Sequence, residues 1–324
     1  MAKELSQIDA NKIPVLVSGC LLGQNVRFDG GHKLDRFVSE GLSSAFEFIA
    51  VCPELAMGLG SPRAALRLVR EGDRVKLTES KNTAADYTAR AEETAARLLE
   101  KLPRVYGAIL KKDSPSCGPF KVKVYSEGGM AERNGAGFFA NALRAADPLL
   151  PVEDEGRLND AGLREAFIER VYAYRRWVAL VEEGLSVAKL MTFHRDHKFM
   201  IMSRPRSDYA KLGRIVAGLT KSNLAHQSQM YIAALMEVLA RAPSRGARAN
   251  MMYHLLGYLK QALGWEDKKA LVDVVETYRT GALPFAVPMV LLADYFRRFP
   301  DPYVMQQYCL MRYPMALGMH TSNA

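Results

Sequence analysis

Three short apolar runs decide what the first half of this chain can fold into. They are "IPVLVSG" at 13–19, "FEFIAV" at 46–51 and "VYGAIL" at 105–110. Each is long enough for a buried strand and too short for a helix of ordinary length. Between the second and the third lies "NTAADYTARAEETAARLLEKL" at 82–102, whose Ala, Glu, Arg and Leu content predicts a helix. "DRVKLTES" at 73–80 predicts a short extra strand. Strands alternating with helix predict an α/β layer built on a mostly parallel sheet.

The pattern changes at "DPLLPVEDEGRLND" (147–160), where two prolines and an acidic cluster read as a connection between domains. Beyond it, Asp160 reads as a helix N-cap and Gly184 as a stop, with Phe167, Val171 and Tyr174 at helical spacing between them. Further helices are predicted at about 186–202, 207–225, 226–242, 247–263, 266–280 and 287–299. The expected architecture is an α/β domain over 1–160 followed by an all-α domain over 161–324. A chain of 324 residues, 49% hydrophobic, has the material for two cores.

Charge divides the halves as sharply as periodicity does. Residues 1–160 hold 22 Lys+Arg and 22 Asp+Glu, and residues 161–324 hold 22 and 13, so the net charge of +9 lies wholly in the second half. A basic domain beside a neutral one suggests a polyanion partner, although a basic surface also serves solubility. The run 189–226 is the densest part. Of its cations, Lys189, Arg195, Lys198, Lys211, Arg214 and Lys221 are the expected RNA contacts. Lys211, Arg214 and Lys221 read as one helical face, opposite Leu212, Ile215, Val216 and Leu219. His194 and His197 are expected to cap, pack or touch phosphate, since no third metal ligand is evident. Trp177 and Trp265 are expected as core anchors and Cys309 as a core cysteine.

The longest apolar stretch, "LPFAVPMVLLADYF", is short and broken by Pro288, which predicts no membrane span. No secretory apolar segment follows the polar start "MAKELSQIDANK", so a reducing cytoplasm is the expected compartment. There, thiols more often serve metal binding or catalysis than disulfides. Three of the four cysteines follow strands: Cys20 after "PVLVSG", Cys52 after "FEFIAV", and Cys117 seven residues past "VYGAIL". Loops after the carboxyl ends of parallel strands gather on one edge, where such sheets bind ligands. Three cysteines far apart in sequence are thereby expected to meet.

Several readings of that meeting are open. The three can be independent core cysteines. Structural zinc usually takes four ligands at CxxC-like spacing, and no CxxC occurs here. An iron–sulfur cluster also normally takes four thiolates, so three would leave one iron able to polarise a substrate atom. Arg27, Asp29, Arg63, Ser114 and Ser116 lie close to the cysteines in sequence and are expected to contact a small ligand. Glu54, two residues after Cys52, is placed for general acid–base work, or is a loop carboxylate paired with Arg63 or Arg27.

"SGCLLGQNVRFDGGHK", "VCPELAMGLGSPR" and "KKDSPSCG" together resemble the three motif blocks of the bacterial thiouracil desulfidases. "LMTFHRDHKFMIMS" and "YAKLGRIVA" resemble a YbgA-like helical domain, and the two in this order resemble the RudS-type tRNA 4-thiouridine desulfidases. The resemblance spans nearly the whole chain. It implies a [4Fe-4S] cluster on Cys20, Cys52 and Cys117, with Glu54 and Ser114 as catalytic residues, and a helical domain that binds tRNA containing 4-thiouridine. Ser61-Pro62-Arg63 stands where the family pattern has Thr-Pro-Arg, and serine keeps the hydroxyl. The implied reaction is non-redox. The substrate sulfur binds the open iron, water attacks C4, hydrosulfide leaves and uridine remains. The alternatives are the same chemistry on free thiobases or thionucleosides, or a metal-stabilised RNA-binding protein with zinc in place of the cluster.

Overall fold

Strands apolar on both faces must be covered on both faces, which favours parallel pairing with crossover connections. In the computed structural model, which describes residues 12–126 and 128–310, the strands in chain order are β1 (Ile13–Ser18), β2 (Phe46–Val51), β3 (Leu66–Glu71), β4 (Arg74–Glu79), β5 (Ala108–Leu110), β6 (Val122–Tyr125), β7 (Ala131–Gly135) and β8 (Val152–Asp154). Of the polar start, all but Lys12 lies outside the described residues. The first half also holds three helices, α1 (Pro53–Ala56), α2 (Thr88–Lys101) and α3 (Phe138–Ala146). One compact unit ends at Asp160 and the other begins at Ala161.

The first sheet has the order β2-β1-β5-β8 and is parallel throughout. Its register positions the candidate site. Ser18 pairs with Val51 and Val17 with Ile109, so three strands end level with one another. The fourth strand corrects the reading of 147–160 as a connection. Val152, Glu153 and Asp154 pair with β5 and are buried, despite their acidic character. Arg157 reaches back to Glu153 at 2.7 Å and its backbone N–H donates to Asp154 at 2.8 Å, which gives the buried carboxylates partners.

A second sheet, β4-β3-β6-β7, was not expected from the sequence beyond its strand over 74–79. Two antiparallel hairpins, β3–β4 and β6–β7, join through parallel pairing of β3 with β6. Leu68, Leu77, Val122 and Val124 form its core with Met57 and Ala91. Helix α2 starts six residues later than predicted. Asp86 accepts from the Thr88 N–H at 2.8 Å and Thr88 accepts from the Leu77 N–H at 2.9 Å, fixing residues before it against β4. Its end at Lys101 is set by Leu102-Pro103, since the residue before a proline disfavours helix.

The second half is helical: α4 (Ala161–Glu182), α5 (Val187–Asp196), α6 (Lys198–Met202), α7 (Arg206–Ala217), α8 (Leu224–Leu239), α9 (Arg245–Tyr258), α10 (Trp265–Thr280) and α11 (Ala286–Arg298). Phe199, Met252, Leu255, Leu271, Val275, Leu292 and Phe296 build its main core. Three expectations need correction. The helix predicted over 186–202 breaks at His197, whose buried ring binds the Phe193 carbonyl at 2.8 Å. The Gln307 side chain and the Tyr308 N–H take up the Arg195 and Asp196 carbonyls there, at 2.9 and 3.0 Å. The helix predicted over 207–225 ends at Ala217, because Asn223 closes a turn onto Gly218 and Thr220. Trp177 is a core anchor against Phe193, whereas Trp265 is 72% exposed, with Lys269 over its ring. No helix among the described residues is long and apolar enough to cross a membrane.

Candidate active site

The cavity at the ends of β1, β2 and β5 has a volume of about 370 Å³, and Cys20, Cys52 and Cys117 all line it. Each cysteine is positioned by what its strand becomes. β1 turns at once into a short 3₁₀ segment, Gly19–Leu22, and the Cys20 carbonyl there accepts from Lys33 at 2.9 Å, stitching the Gly-rich loop to it. Cys52 precedes α1, with Pro53 at the first helical position, and its thiol donates to the Val26 carbonyl at 3.7 Å. Cys117 sits in a loop wound around Ser114, whose hydroxyl accepts from the Ser116 and Cys117 N–H groups at 3.2 and 3.0 Å. That loop is pressed against the start of α3. A Cβ on Gly137 would stand 2.4 Å from the Ser116 backbone, so only glycine permits the approach.

All three thiols are free, and burial acts on each. It pushes Cys20 up to about 11, opposed by Lys111 and reinforced by Cys52. Burial likewise raises Cys52, opposed by a backbone hydrogen bond from Leu55. Cys117 is raised furthest, with the Ser18 hydroxyl opposing. The mutual influence of Cys20, Cys52 and Cys117 reflects their closeness. Such a donor set suits a cationic cluster, which would compensate thiolate charge that burial disfavours. Among the described residues, no three His, Cys, Asp or Glu side chains are arranged to hold one metal ion. A cluster presents separate irons, so the thiolates that hold it stand farther apart than the donors of a single ion.

Glu54 lies in the first turn of α1, and its side chain, 12% exposed, lines the same cavity. Arg63 donates to its Oε2 through Nε at 2.9 Å and through the terminal nitrogen at 2.6 Å. Ser116 donates to its Oε1 at 3.0 Å. Of the two pairings open from sequence, Glu54 takes Arg63. Arg63 is itself fixed by the Gly60 and Val26 carbonyls at 2.6 and 3.0 Å. The remaining lone-pair capacity of the carboxylate is available to a ligand.

The other expected ligand contacts divide by position. Arg27, Arg63 and Ser114 line the cavity. Asp29 does not: it is exposed and pairs with Arg27 at 3.2 and 3.3 Å, and the Arg27 guanidinium lowers its carboxyl. Ser116 is 2% exposed and reaches the cavity only through Glu54. Sequence reasoning missed Ser18, Lys33, Lys111 and Lys112, which also line it. Lys111 binds Glu155 through its ammonium, and Lys112 donates to Glu155 through its backbone at 2.8 Å. Both lysines directly follow the apolar run at 105–110, so the strand-end logic applied to the cysteines would have found them.

The six expected RNA contacts in the helical half are spread over three helices and a turn. Lys211 and Arg214 are exposed on α7, and Lys211 lies 3.7 Å from Glu237. Lys221 is exposed on the turn after α7, so it does not share their helical face. Lys189 donates to the Glu183 and Gly184 carbonyls, Arg195 pairs with Asp196 at 2.8 Å, and Lys198 stands over Tyr303. His194 lies against Tyr231 at 3.2 Å, and Cys309 packs half-buried beside the main helical core.

Residues 15–155 match the family described as 2-thiouracil desulfurase, and residues 198–314 match a family of unknown function, DUF1722. The uncharacterized protein YbgA of Escherichia coli (strain K12) is 23% identical over 155 residues, covering 48% of this chain and 92% of that protein. The uncharacterized protein YbbK of Bacillus subtilis (strain 168) is 32% identical over 110 residues, covering 32% of this chain and 72% of that protein. A solved structure, the [4Fe-4S]-dependent thiouracil desulfidase TudS, is 32% identical, covering 45% of this chain and 93% of that one, with a TM-score of 0.35.

Proposed function

The chain belongs to the 2-thiouracil desulfurase family, with a YbgA-like half fused behind the desulfurase half, and we propose that it is an iron–sulfur desulfidase converting 4-thiouridine in tRNA to uridine. The observation that carries this reading is the cavity where thiols from three strand ends meet a carboxylate anchored on both oxygens. Cys20, Cys52 and Cys117 would hold a [4Fe-4S] cluster, which supplies a Lewis acid at the iron that has no protein ligand.

The chain's own residues then do the following. Glu54 orients a water toward C4 of the base and accepts its proton. Arg63 and Ser116 keep the carboxylate fixed while it does so, which lowers the cost of reaching the reactive geometry. Ser114 accepts two backbone N–H bonds and has no acceptor for its own O–H among the described residues, so it is free to donate to the base edge. Arg27 and Lys111 make the mouth and wall electropositive. The carbon–sulfur bond breaks, water oxygen replaces sulfur, and hydrosulfide leaves with no net redox change. The target base must leave its stack at a cost of a few kcal/mol, which phosphate contacts from the basic helical half would offset.

A free thiopyrimidine is the second reading, favoured by the description of the matching family. The excess charge of +9 in the helical half favours tRNA, since a free base needs no cationic surface that binds a polyanion. Anaerobic incubation with thiolated tRNA, followed by nucleoside analysis, is the test. Loss of 4-thiouridine with matching gain of uridine and sulfide is expected. Activity on free 4-thiouracil alone would overturn the tRNA reading and leave the desulfidase reading intact.

A further inference from the structure

A second cavity, of about 610 Å³, lies within the helical half. The segment between α6 and α7 forms one side with Met202, Arg204 and Pro205, and Arg206 and Tyr209 of α7 continue it. Ala247, Asn250 and His254 form the other side; their spacing of three and four puts them on one face of α9. The volume is in the range that takes a nucleotide-sized ligand.

Its polar groups are uncommitted. The side chains of Arg206, Tyr209, Asn250 and His254 have no hydrogen-bond or ion-pair partner among the described residues. Beneath them Arg204 is 3% exposed and is held by Glu169, Met200 and Ser203, yet its Nε–H has no acceptor. No carboxylate lines the cavity, and the N-terminal end of the 12-residue α7 forms part of its wall. Both features favour an anion.

The mixture of groups is more specific than a bare phosphate site. An arginine suits a phosphate, a tyrosine ring and an imidazole offer stacking faces, and a carboxamide offers a donor and an acceptor to a base edge. We propose that this groove seats one unpaired nucleotide of an RNA strand, its phosphate at Arg206 and its base against Tyr209. The proposal rests on the reading that the helical half engages tRNA, and it names a place for one part of that contact.

The test uses the full chain with its cluster, and anisotropy titrations of thiolated tRNA, labelled hexauridylate and, as a competitor, uridine 5′-monophosphate. Arg206→Ala should reduce the salt slope of tRNA binding by about one. Tyr209→Leu should weaken hexauridylate binding roughly tenfold, and Tyr209→Phe should retain it. Melting temperatures and iron content should match the parent, which separates a lost contact from a lost fold. If the parent binds tRNA and both Arg206→Ala and Tyr209→Leu bind as the parent does, the groove assignment falls and the RNA reading stands. If the parent binds neither tRNA nor hexauridylate, both fall. If the monophosphate competes as tightly as hexauridylate binds, the groove is a free-nucleotide site and the proposal is overturned.

Discussion

In the strand-end cavity Glu54 has both oxygens engaged by Arg63 and Ser116, and Lys111 is tied to Glu155. Around the helical groove, the side chains of Arg206, Tyr209, Asn250 and His254 bond to nothing described in the chain. The contrast matches what each place would have to do. Bond-breaking needs groups held in reacting geometry before the substrate arrives, and a fixed network provides that. A flexible strand brings its own partners, and side chains already paired within the protein would have to break those pairs first. A free polar rim costs little while it is solvated, whereas a free carboxylate in a closed cavity would be poorly aimed.

The comparison can be broken most severely at the cysteines. Serine at position 20, 52 or 117 should abolish iron binding and reduce desulfurisation to the blank rate, read by iron content per chain and visible absorbance. A variant that kept both would remove that residue from the proposed ligand set. Glu54→Gln is the next largest. It should retain the iron absorbance and lose about 10²- to 10⁴-fold in turnover, the usual contribution of a positioned general base. Arg63→Lys tests fixation itself. A lysine cannot reproduce the fork that spans Glu54, Gly60 and Val26, so kcat should fall roughly 10- to 100-fold with little change in KM.

Effects in the helical half should be smaller and graded. Replacing Lys211, Arg214 and Lys221 together by Gln should weaken tRNA binding about tenfold at moderate salt and flatten its salt dependence. The smallest effect concerns acid. Burial first, then Lys198, holds His194 down to about 4 from 6.5, and burial holds His197 down to about 3. The unfolded chain therefore takes up protons near pH 6.5 that the folded chain refuses until about pH 4. Stability should decline as pH falls through that window, lowering the melting temperature by several degrees, on the order seen for losses of a few kcal/mol. His194→Gln should shallow this decline in calorimetry between pH 7 and 5.

The parts legible in sequence were those with one dominant cause. Cys20 and Cys52 follow apolar runs directly, and parallel register then sets their neighbourhood. Glu54 is legible as a candidate from its distance to Cys52, and its partner was narrowed to Arg63 or Arg27. The choice between them was not legible, because Arg63 returns through a segment pinned to the loop after β1 by its own N–H on the Phe28 carbonyl and by Ser61 on the Asn25 and Arg27 carbonyls. The second sheet was hidden because β7 is exposed along most of its length and β3 is only partly buried, so neither presents an apolar run. β8 was hidden for the opposite reason. Its Glu153 and Asp154 look like a solvated linker, and Arg157 is among the groups that make their burial tolerable. The break at His197 leaves no mark in periodicity, because the apolar spacing continues across it. Lys221 was placed on a helical face by counting, whereas the Asn223 turn ends the helix before it.

The way that break is completed bears on how the protein is made. Gln307 and Tyr308 close carbonyls at Arg195 and Asp196, across a sequence separation of 112 residues for the Gln307 contact. A chain emerging in order thus has its first sheet and the three proposed cluster ligands complete by Asp154, while the carbonyls at the α5–α6 break stay open until residue 308 has been made. Synthesis order would allow the desulfurase half to assemble before the half that follows it is finished.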